Sequence, residues 1–325
     1  MNQAYVDTVR LLLAIAPSIF QSEYFAMKGG TALNLFVQDM PRLSVDIDVV
    51  FTNHTLERDA ALAAISTALA VSQATLKGRG YRATPLKTGQ GDEVKLLVED
   101  DLAKVKVEVN FVFRGTVMPV VQRHLTSAAR ELFTTDVTLP VLDTAELYGS
   151  KLVAAMDRQH PRDMFDVAHM LGRFGWQASF VDCFVAYLAG HNRPVHEVLF
   201  PAKQPLEPTF TNEFSGMTKD ELPLALLEQT QQDLITQLPQ HLTPAHREFL
   251  LSLVRAEPAW ELMTFEHLRE LPALKWKLLN LQKLQSSNPK RFAAQHSELE
   301  ARFQGVGPST TDRHGLRPRD GGGAA

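Results

Sequence analysis

Apolar and polar positions alternate most cleanly in "KVKVEVNFVF", residues 104–113. Val105, Val107, Val109, Phe111 and Phe113 fall on one side of an extended chain. Lys104, Lys106, Glu108 and Asn110 fall on the other, which predicts a half-buried β-strand. Residues 45–51 have strand composition too, and so do 81–87 and 93–98; shorter strands are predicted at 117–121 and 137–139. Residues 24–27 form a short apolar run. Helical spacing predicts helices over 2–16, 31–37 and the alanine-rich 56–76, the last broken by Gly78, Gly80 and Pro85. From Asp143 onward the pattern is helical. "DTAELYGSKLVAAMDR" opens on an N-cap aspartate with Glu146 three residues later, a capping-box signature. Pro161 stands where a first helical residue is tolerated, opening "PRDMFDVAHMLGRFG". Pro194, Pro201, Pro205 and Pro208 mark a long irregular connection. "LTPAHREFLLSLVRAEP" and "LPALKWKLLNLQKLQ" are further helices. No internal repeat is visible. The order implies an α+β fold, with a strand-containing core over 1–142, a helical domain over 143–305, and a Gly-, Pro- and Arg-rich tail over 306–325 that reads as disordered.

Composition narrows this little, but charge does. A net charge of −4 excludes a protein that wraps nucleic acid with its whole surface, so any RNA must meet a local patch. The one cysteine, Cys183, excludes an internal disulfide framework and reads as a core thiol in a buried helix, consistent with a cytoplasmic protein. The first twenty residues lack a basic leader and a small-residue cleavage site, and are read as an amphipathic helix rather than a signal peptide. No run reaches the roughly 18 apolar residues of a membrane span, so no membrane partner is expected.

Candidate chemistry starts with "VDIDVVF". Asp46 and Asp48 project from one face of a strand, where two unpaired carboxylates would repel each other and be costly to bury. A divalent cation resolves the conflict, and Mg2+ is commonly held by one or two carboxylates plus substrate phosphates. The plainer reading is a solvated strand face. Glu108, on a strand of the same design, becomes a third carboxylate if the two strands share a sheet; otherwise it pairs with Lys104 or Lys106. Upstream, Gly29 and Gly30 precede a helical run opening with Thr31. Such a turn can aim free backbone N–H groups at a phosphate.

Gly29-Gly30 followed by Asp46-Ile47-Asp48 in an apolar strand resembles the DNA polymerase β-type nucleotidyltransferase motif. More narrowly, "KGGTALNL", "RLSVDIDVVF" and "KLVAAMDRQHPRDMFDVAHML" resemble the AbiEii/AbiGii toxin family of nucleotidyltransferases, which includes the MenT toxins, and the similarity extends over roughly residues 20–285. The interval from Gly30 to Asp46 is longer than is common in the wider group, as it is in this toxin family. The resemblance implies a polymerase β-type core with a mixed sheet and a helical C-terminal domain completing the active site. It implies Mg2+, or Mn2+ in its place, on Asp46, Asp48 and Glu108, and an NTP as substrate. It places Lys151 on the triphosphate, against a plainer reading as a lysine snorkelling from its helix. It assigns Asp163 and Asp166, i and i+3 on one helix, to completing the active site; they could orient Lys151, contact the nucleotide or hold the acceptor. It sets Ser44 beside the phosphates, where related toxins carry a serine that accepts phosphate, against simple hydrogen bonding at a strand start. Arg42 joins this nucleotide-binding set with Thr31. Lys28 either touches phosphate or is exposed. His169 is read as structural. Lys275, Lys277, Lys283, Lys290 and Arg291, with Trp276 among them, form either an RNA contact or a solvated helix face.

The implied reaction moves NMP from an NTP to an acceptor hydroxyl, the tRNA 3′ end by resemblance. It implies the toxin half of a type IV-like toxin–antitoxin or abortive-infection system, with a winged-helix antitoxin encoded adjacently. The alternatives are phosphoryl transfer or nucleotidylation of a protein on the same fold, and a catalytically inactive nucleotide- or RNA-binding module.

Overall fold

The computed structural model describes residues 2–87, 93–219 and 222–306; the expected disorder of the tail concerns residues outside these from 307 onward. Helix α1 (Gln3–Ile19) leads to β1 (Phe25–Lys28), α2 (Gly29–Phe36), β2 (Ile47–Phe51) and α3 (Arg58–Gly78). Strands β3 (Arg82–Lys87), β4 (Glu93–Glu99), β5 (Lys104–Asn110) and β6 (Val121–His124) follow, then α4 (Ser127–Phe133) and β7 (Thr138–Val141). The rest is helical: α5 (Thr144–Arg158), α6 (Pro161–Phe174), α7 (Ala178–Ala189), α8 (Val195–Leu199), α9 (Glu207–Glu213), α10 (Leu224–Gln237), α11 (Pro244–Val254), α12 (Pro272–Ser287) and α13 (Pro289–Gly305).

The seven strands form one mixed sheet in the order β3-β4-β5-β2-β1-β7-β6. β2 runs parallel to β5 and antiparallel to β1, so the two strands predicted to carry the carboxylates are neighbours. Val105, Val107 and Val109 are buried, as their alternation requires, together with Ile47, Val49 and Phe51 of β2. Helices α1 and α3 pack on β3, β4 and β5. Among the described residues α3 alone is long and apolar enough to cross a membrane, with mean hydropathy 1.3 over an 18-residue window. In the fold its Ala61, Ile65, Leu69, Ser72 and Leu76 are buried, a one-sided stripe against sheet and helix.

Three elements differ from their sequence patterns. β5 stops at Asn110, whose side chain accepts the Phe113 N–H (3.0 Å) and turns the chain. The strand predicted at 117–121 lies instead at Val121–His124, where it pairs with β7. Glu146 forms no capping box: Asp143 caps α5 by accepting from the Ala145 N–H, while the Glu146 carboxylate is buried on other partners. Cys183 is buried as expected. Its α7 crosses α5 at Gly149, where a Cβ would come within 2.4 Å of Cys183 Cβ.

Candidate active site

The strand register builds a row of charges. Lys28 of β1 stands opposite Asp48 of β2, Asp48 opposite Glu108 of β5, and Glu108 opposite Lys95 of β4. Residues in register on adjacent strands share a face, so these four side chains lie side by side. The outer pair is satisfied: Lys95 Nζ lies 3.1 Å from Glu108 Oε1 and Lys106 Nζ 3.2 Å from Oε2. Glu108 thus flanks Asp48 in register, while its carboxylate makes the lysine pairing of the plainer reading, to Lys106 and also to Lys95. The inner pair differs. Among the described residues the Asp48 carboxylate has no hydrogen-bond or ion-pair partner, and Lys28 Nζ has only the face of Tyr187, 5.8 Å away. Burial raises the Asp48 pKa, opposed by Lys28 and reinforced by Asp46. Burial lowers that of Lys28, opposed by Asp48 and Glu146. Each group is held where its charge is costly and a charged ligand would relieve it.

Against this row sits the glycine turn. Helix α2 starts at Gly29, two residues before the predicted Thr31, and no side chain caps it. Gly29 has φ +76°, and a Cβ there would fall 2.2 Å from Asp48 Oδ2. A Cβ on Gly30 would fall 2.7 Å from Arg42 Nη2 and 3.0 Å from Ser44 Oγ. Glycine is thus required at 29 by both conformation and space, and at 30 by space. Thr31 straps the turn to the strand: its hydroxyl donates to the Asp46 carbonyl (2.5 Å) and lies 3.0 Å from Ser44 Oγ. Thr31, Arg42, Ser44 and Asp46 stand outside the lining of the cleft in front of Gly29 and Gly30. Asp46 is nevertheless near enough to raise the pKa of Asp48.

The opposite wall carries an ion network that is buried except at Arg158, whose side chain is exposed. Arg42 makes a bidentate pair with Asp166, Nε to Oδ1 at 2.8 Å and Nη2 to Oδ2 at 2.7 Å. Lys151 Nζ lies 2.9 Å from both Asp163 Oδ1 and Asp166 Oδ2. Arg158 holds Asp163 from the other side, Nε to Oδ2 at 2.6 Å. Asn34 of α2 donates to Asp166 Oδ1 and to the Gly30 carbonyl, coupling the network to the glycine turn. Burial alone would raise both aspartates, but Lys151 and Arg158 hold Asp163 well below the usual carboxylate range, and Arg42 and Lys151 lower Asp166 as well. Burial likewise works against the Lys151 ammonium, yet its two aspartates keep its pKa raised. Of the three roles open to Asp163 and Asp166 in the sequence, both make the contacts of residues that orient Lys151.

Sequence reasoning missed Arg158, Asn34, Glu146 and Tyr187. Glu146 accepts from the Val117 and Met118 N–H groups (2.7 and 3.0 Å) and from the Tyr187 hydroxyl (2.9 Å). Burial pushes its pKa up to about 6 despite these bonds. Tyr187 stacks on Phe113, with ring centroids 4.0 Å apart, and offers its ring to Lys28. Only the position of Glu146 in an apolar helix signalled burial. The basic C-terminal set divides: Lys277 is buried, donating to the His191 and Arg193 carbonyls, and so is no part of a solvated face.

Lys28, Gly29, Gly30, Asp48, Glu108 and Lys151 line one cleft of about 840 Å3, within the range of small-molecule sites. Asp48, unpartnered, with Asp46 two residues before it, suits a divalent ion held by one or two carboxylates and completed by phosphate oxygens. Among the described residues no three acidic, imidazole or thiol side chains gather as a metal cluster, and Glu108 is held by two lysines.

The cleft thus opposes a glycine turn to a strand carboxylate on a mixed sheet, with a helical wall that supplies cations. The family model described as nucleotidyl transferase AbiEii toxin, type IV TA system, matches residues 10–278. The chain belongs to that family. Among solved structures it is similar in fold to MenT4, a nucleotidyltransferase toxin from Mycobacterium tuberculosis H37Rv, with TM-score 0.56 and 18% identity, over 86% of this chain and 92% of that one. No curated protein matches the sequence.

Proposed function

We propose that this toxin transfers NMP from an NTP to the 3′-terminal hydroxyl of tRNA, with Mg2+ bound by Asp46 and Asp48. The observation that carries the reading is the unpartnered Asp48 carboxylate directly under the Gly29 turn, in a cleft whose other charges are cationic or paired. Gly29 and Gly30 offer backbone N–H groups at the start of α2 to the triphosphate. Lys28 lies beside them. The helical network holds three cations, Arg42, Lys151 and Arg158, against two carboxylates, Asp163 and Asp166, leaving one positive charge in excess behind the phosphates. Arg42, Ser44 and Thr31 act from behind, fixing the turn and the Asp46 backbone.

In the reaction the acceptor oxygen attacks the α-phosphorus, the bond to the β-phosphate bridging oxygen breaks, and pyrophosphate leaves. The hydroxyl proton passes to Glu108 once that carboxylate exchanges a lysine for the acceptor. The metal, when bound, neutralises charge on the transferring phosphoryl group. A winged-helix antitoxin encoded adjacently is the proposed partner, acting with the toxin in the cytoplasm.

The test is incubation of the protein with total RNA and Mg2+ and each NTP labelled at the α- or the γ-phosphate. Label from α in a tRNA band is the expected result. Label from γ alone makes the protein a phosphotransferase, and label in protein alone moves the acceptor from RNA to a polypeptide.

A further inference from the structure

The same cleft extends past the phosphate-binding end to α12 and the loop between α7 and α8, where Trp276, His191 and Asn192 line it. Trp276 is 56% exposed and has no ring partner among the described residues. The other two tryptophans are packed, Trp176 stacked on His241 and Trp260 against Phe249. Inside a cleft, a bare indole face offers a stacking surface.

The loop beside it is held with unusual care. Lys277, next to Trp276, is buried and donates to the carbonyls on either side of Asn192, those of His191 (2.9 Å) and Arg193 (2.6 Å). Burial pushes the Lys277 pKa down to about 8, so holding the loop this way is costly. From the other side, Arg193 Nη1 reaches Asp157 Oδ1 on α5 at 2.6 Å, and His191 Nε2 lies 3.5 Å from Asp157 Oδ2. Gly190 packs so closely on Phe113 and on α12 that a Cβ would meet Phe113 at 2.8 Å and Ala273 at 3.1 Å. Both neighbours of Asn192 are therefore fixed on two helices, while its own amide is exposed and makes no hydrogen bond among the described residues. A loop fixed on both sides thus presents a free donor–acceptor pair in the cleft that Trp276 also lines.

We infer that Trp276 and Asn192 form a nucleobase subsite, in which the base stacks on the indole and the Asn192 amide bonds its edge. This rests on the phosphate-binding reading of Lys28, Gly29 and Gly30, because the subsite is recognised as the far end of the same nucleotide cleft. An amide can both donate and accept, so it suits the mixed edge of a base, and base–aromatic stacking is tolerant of base identity. The base belongs either to the incoming NTP or to the end of the RNA acceptor.

Calorimetric titration of the full chain with Mg2+ separates these sources. The probes are each NTP, inorganic tripolyphosphate and a short single-stranded RNA. Trp276→Ala is expected to weaken NTP or RNA binding roughly tenfold or more, Trp276→Phe to restore most of it, and Asn192→Ala to narrow differences among the bases. Tripolyphosphate affinity stays at the wild-type value in all three and falls in Lys28→Met. Loss confined to NTP assigns the base to the nucleotide, and loss confined to RNA assigns it to the acceptor. If tripolyphosphate binds but Trp276→Ala holds every NTP and the RNA as wild type does, the base subsite alone is refuted. If tripolyphosphate does not bind, the phosphate reading falls and the subsite falls with it.

Discussion

On the sheet side of the cleft, Lys28 and Asp48 stand opposite each other in register, with no hydrogen bond or ion pair on either charged group among the described residues. On the helix side, Asp163 and Asp166 are satisfied by Arg42, Lys151, Arg158 and Asn34 at 2.6–3.1 Å. Both sets are charged and meet at one cleft, which Lys151 and Arg158 line on the helix side, yet they are built oppositely. A fully paired buried network gives geometry: it fixes α5, α6 and α2 relative to one another, and breaking it leaves an uncompensated charge. An unpaired charge costs stability and leaves its chemistry for a ligand. The contrast separates residues that position from residues that react.

The largest effect should come from breaking the paired side. Asp166→Ala strands the buried Arg42 and leaves Lys151 with Asp163 alone, and is expected to cost about 3–5 kcal/mol in urea unfolding. Activity is lost with the fold. Retention of wild-type stability would show that the network is not what holds the helical wall.

Gly29→Ala attacks the junction between the sides. The left-handed backbone at φ +76° and the 2.2 Å approach to Asp48 Oδ2 both oppose a methyl group. A loss of about 1–3 kcal/mol in stability is expected, with displacement of the Asp48 carboxylate. Transfer should therefore fall further than stability explains, which a rate measured well below the unfolding midpoint would check.

The pH dependence of stability should differ in sign between groups. Asp163 and Asp166 are depressed in the fold, so the stability they contribute is present above the ordinary carboxylate pKa and is lost as pH falls through their folded values. Glu146 is raised from 4.5 to about 6. Between those values the unfolded chain releases the proton while the folded chain keeps it, so this group makes stability fall as pH rises, by about 2 kcal/mol in all. Glu146→Gln should remove that decline, seen as a flatter unfolding free energy from pH 4.5 to 6. An unchanged slope would show that Glu146 is not the group responsible. The smallest effect on the fold is expected for Lys28→Met, under about 1 kcal/mol in either direction, because its charge is already disfavoured by burial. NTP affinity should nonetheless drop.

The contrast also explains what the sequence could disclose. Period-two alternation placed Glu108 and Asp48 on polar strand faces, and the parallel register then made them neighbours. The spacing placed Asp163 and Asp166 on one helix face, and only the family resemblance pointed to a role for them in the site. What each aspartate binds was not legible, because Arg42 and Asn34 lie far away along the chain and only the fold brings them to Asp166. Glu146 was misread as a capping-box partner because local spacing outweighed a tertiary demand, the N–H groups of Val117 and Met118. Lys277 was read with exposed neighbours for the same reason: composition sees a basic helix, while its burial depends on two carbonyls of a distant loop.

The central claim is that Asp48 is left unpaired for the reaction, not for the fold. Asp48→Asn, assayed for α-phosphate label transferred to tRNA alongside its thermal unfolding midpoint, tests this directly. The expected result is a fall in transfer of roughly three orders of magnitude, about 4 kcal/mol of transition-state stabilisation, with the midpoint unchanged or raised. Wild-type transfer by a folded Asp48→Asn protein would contradict it.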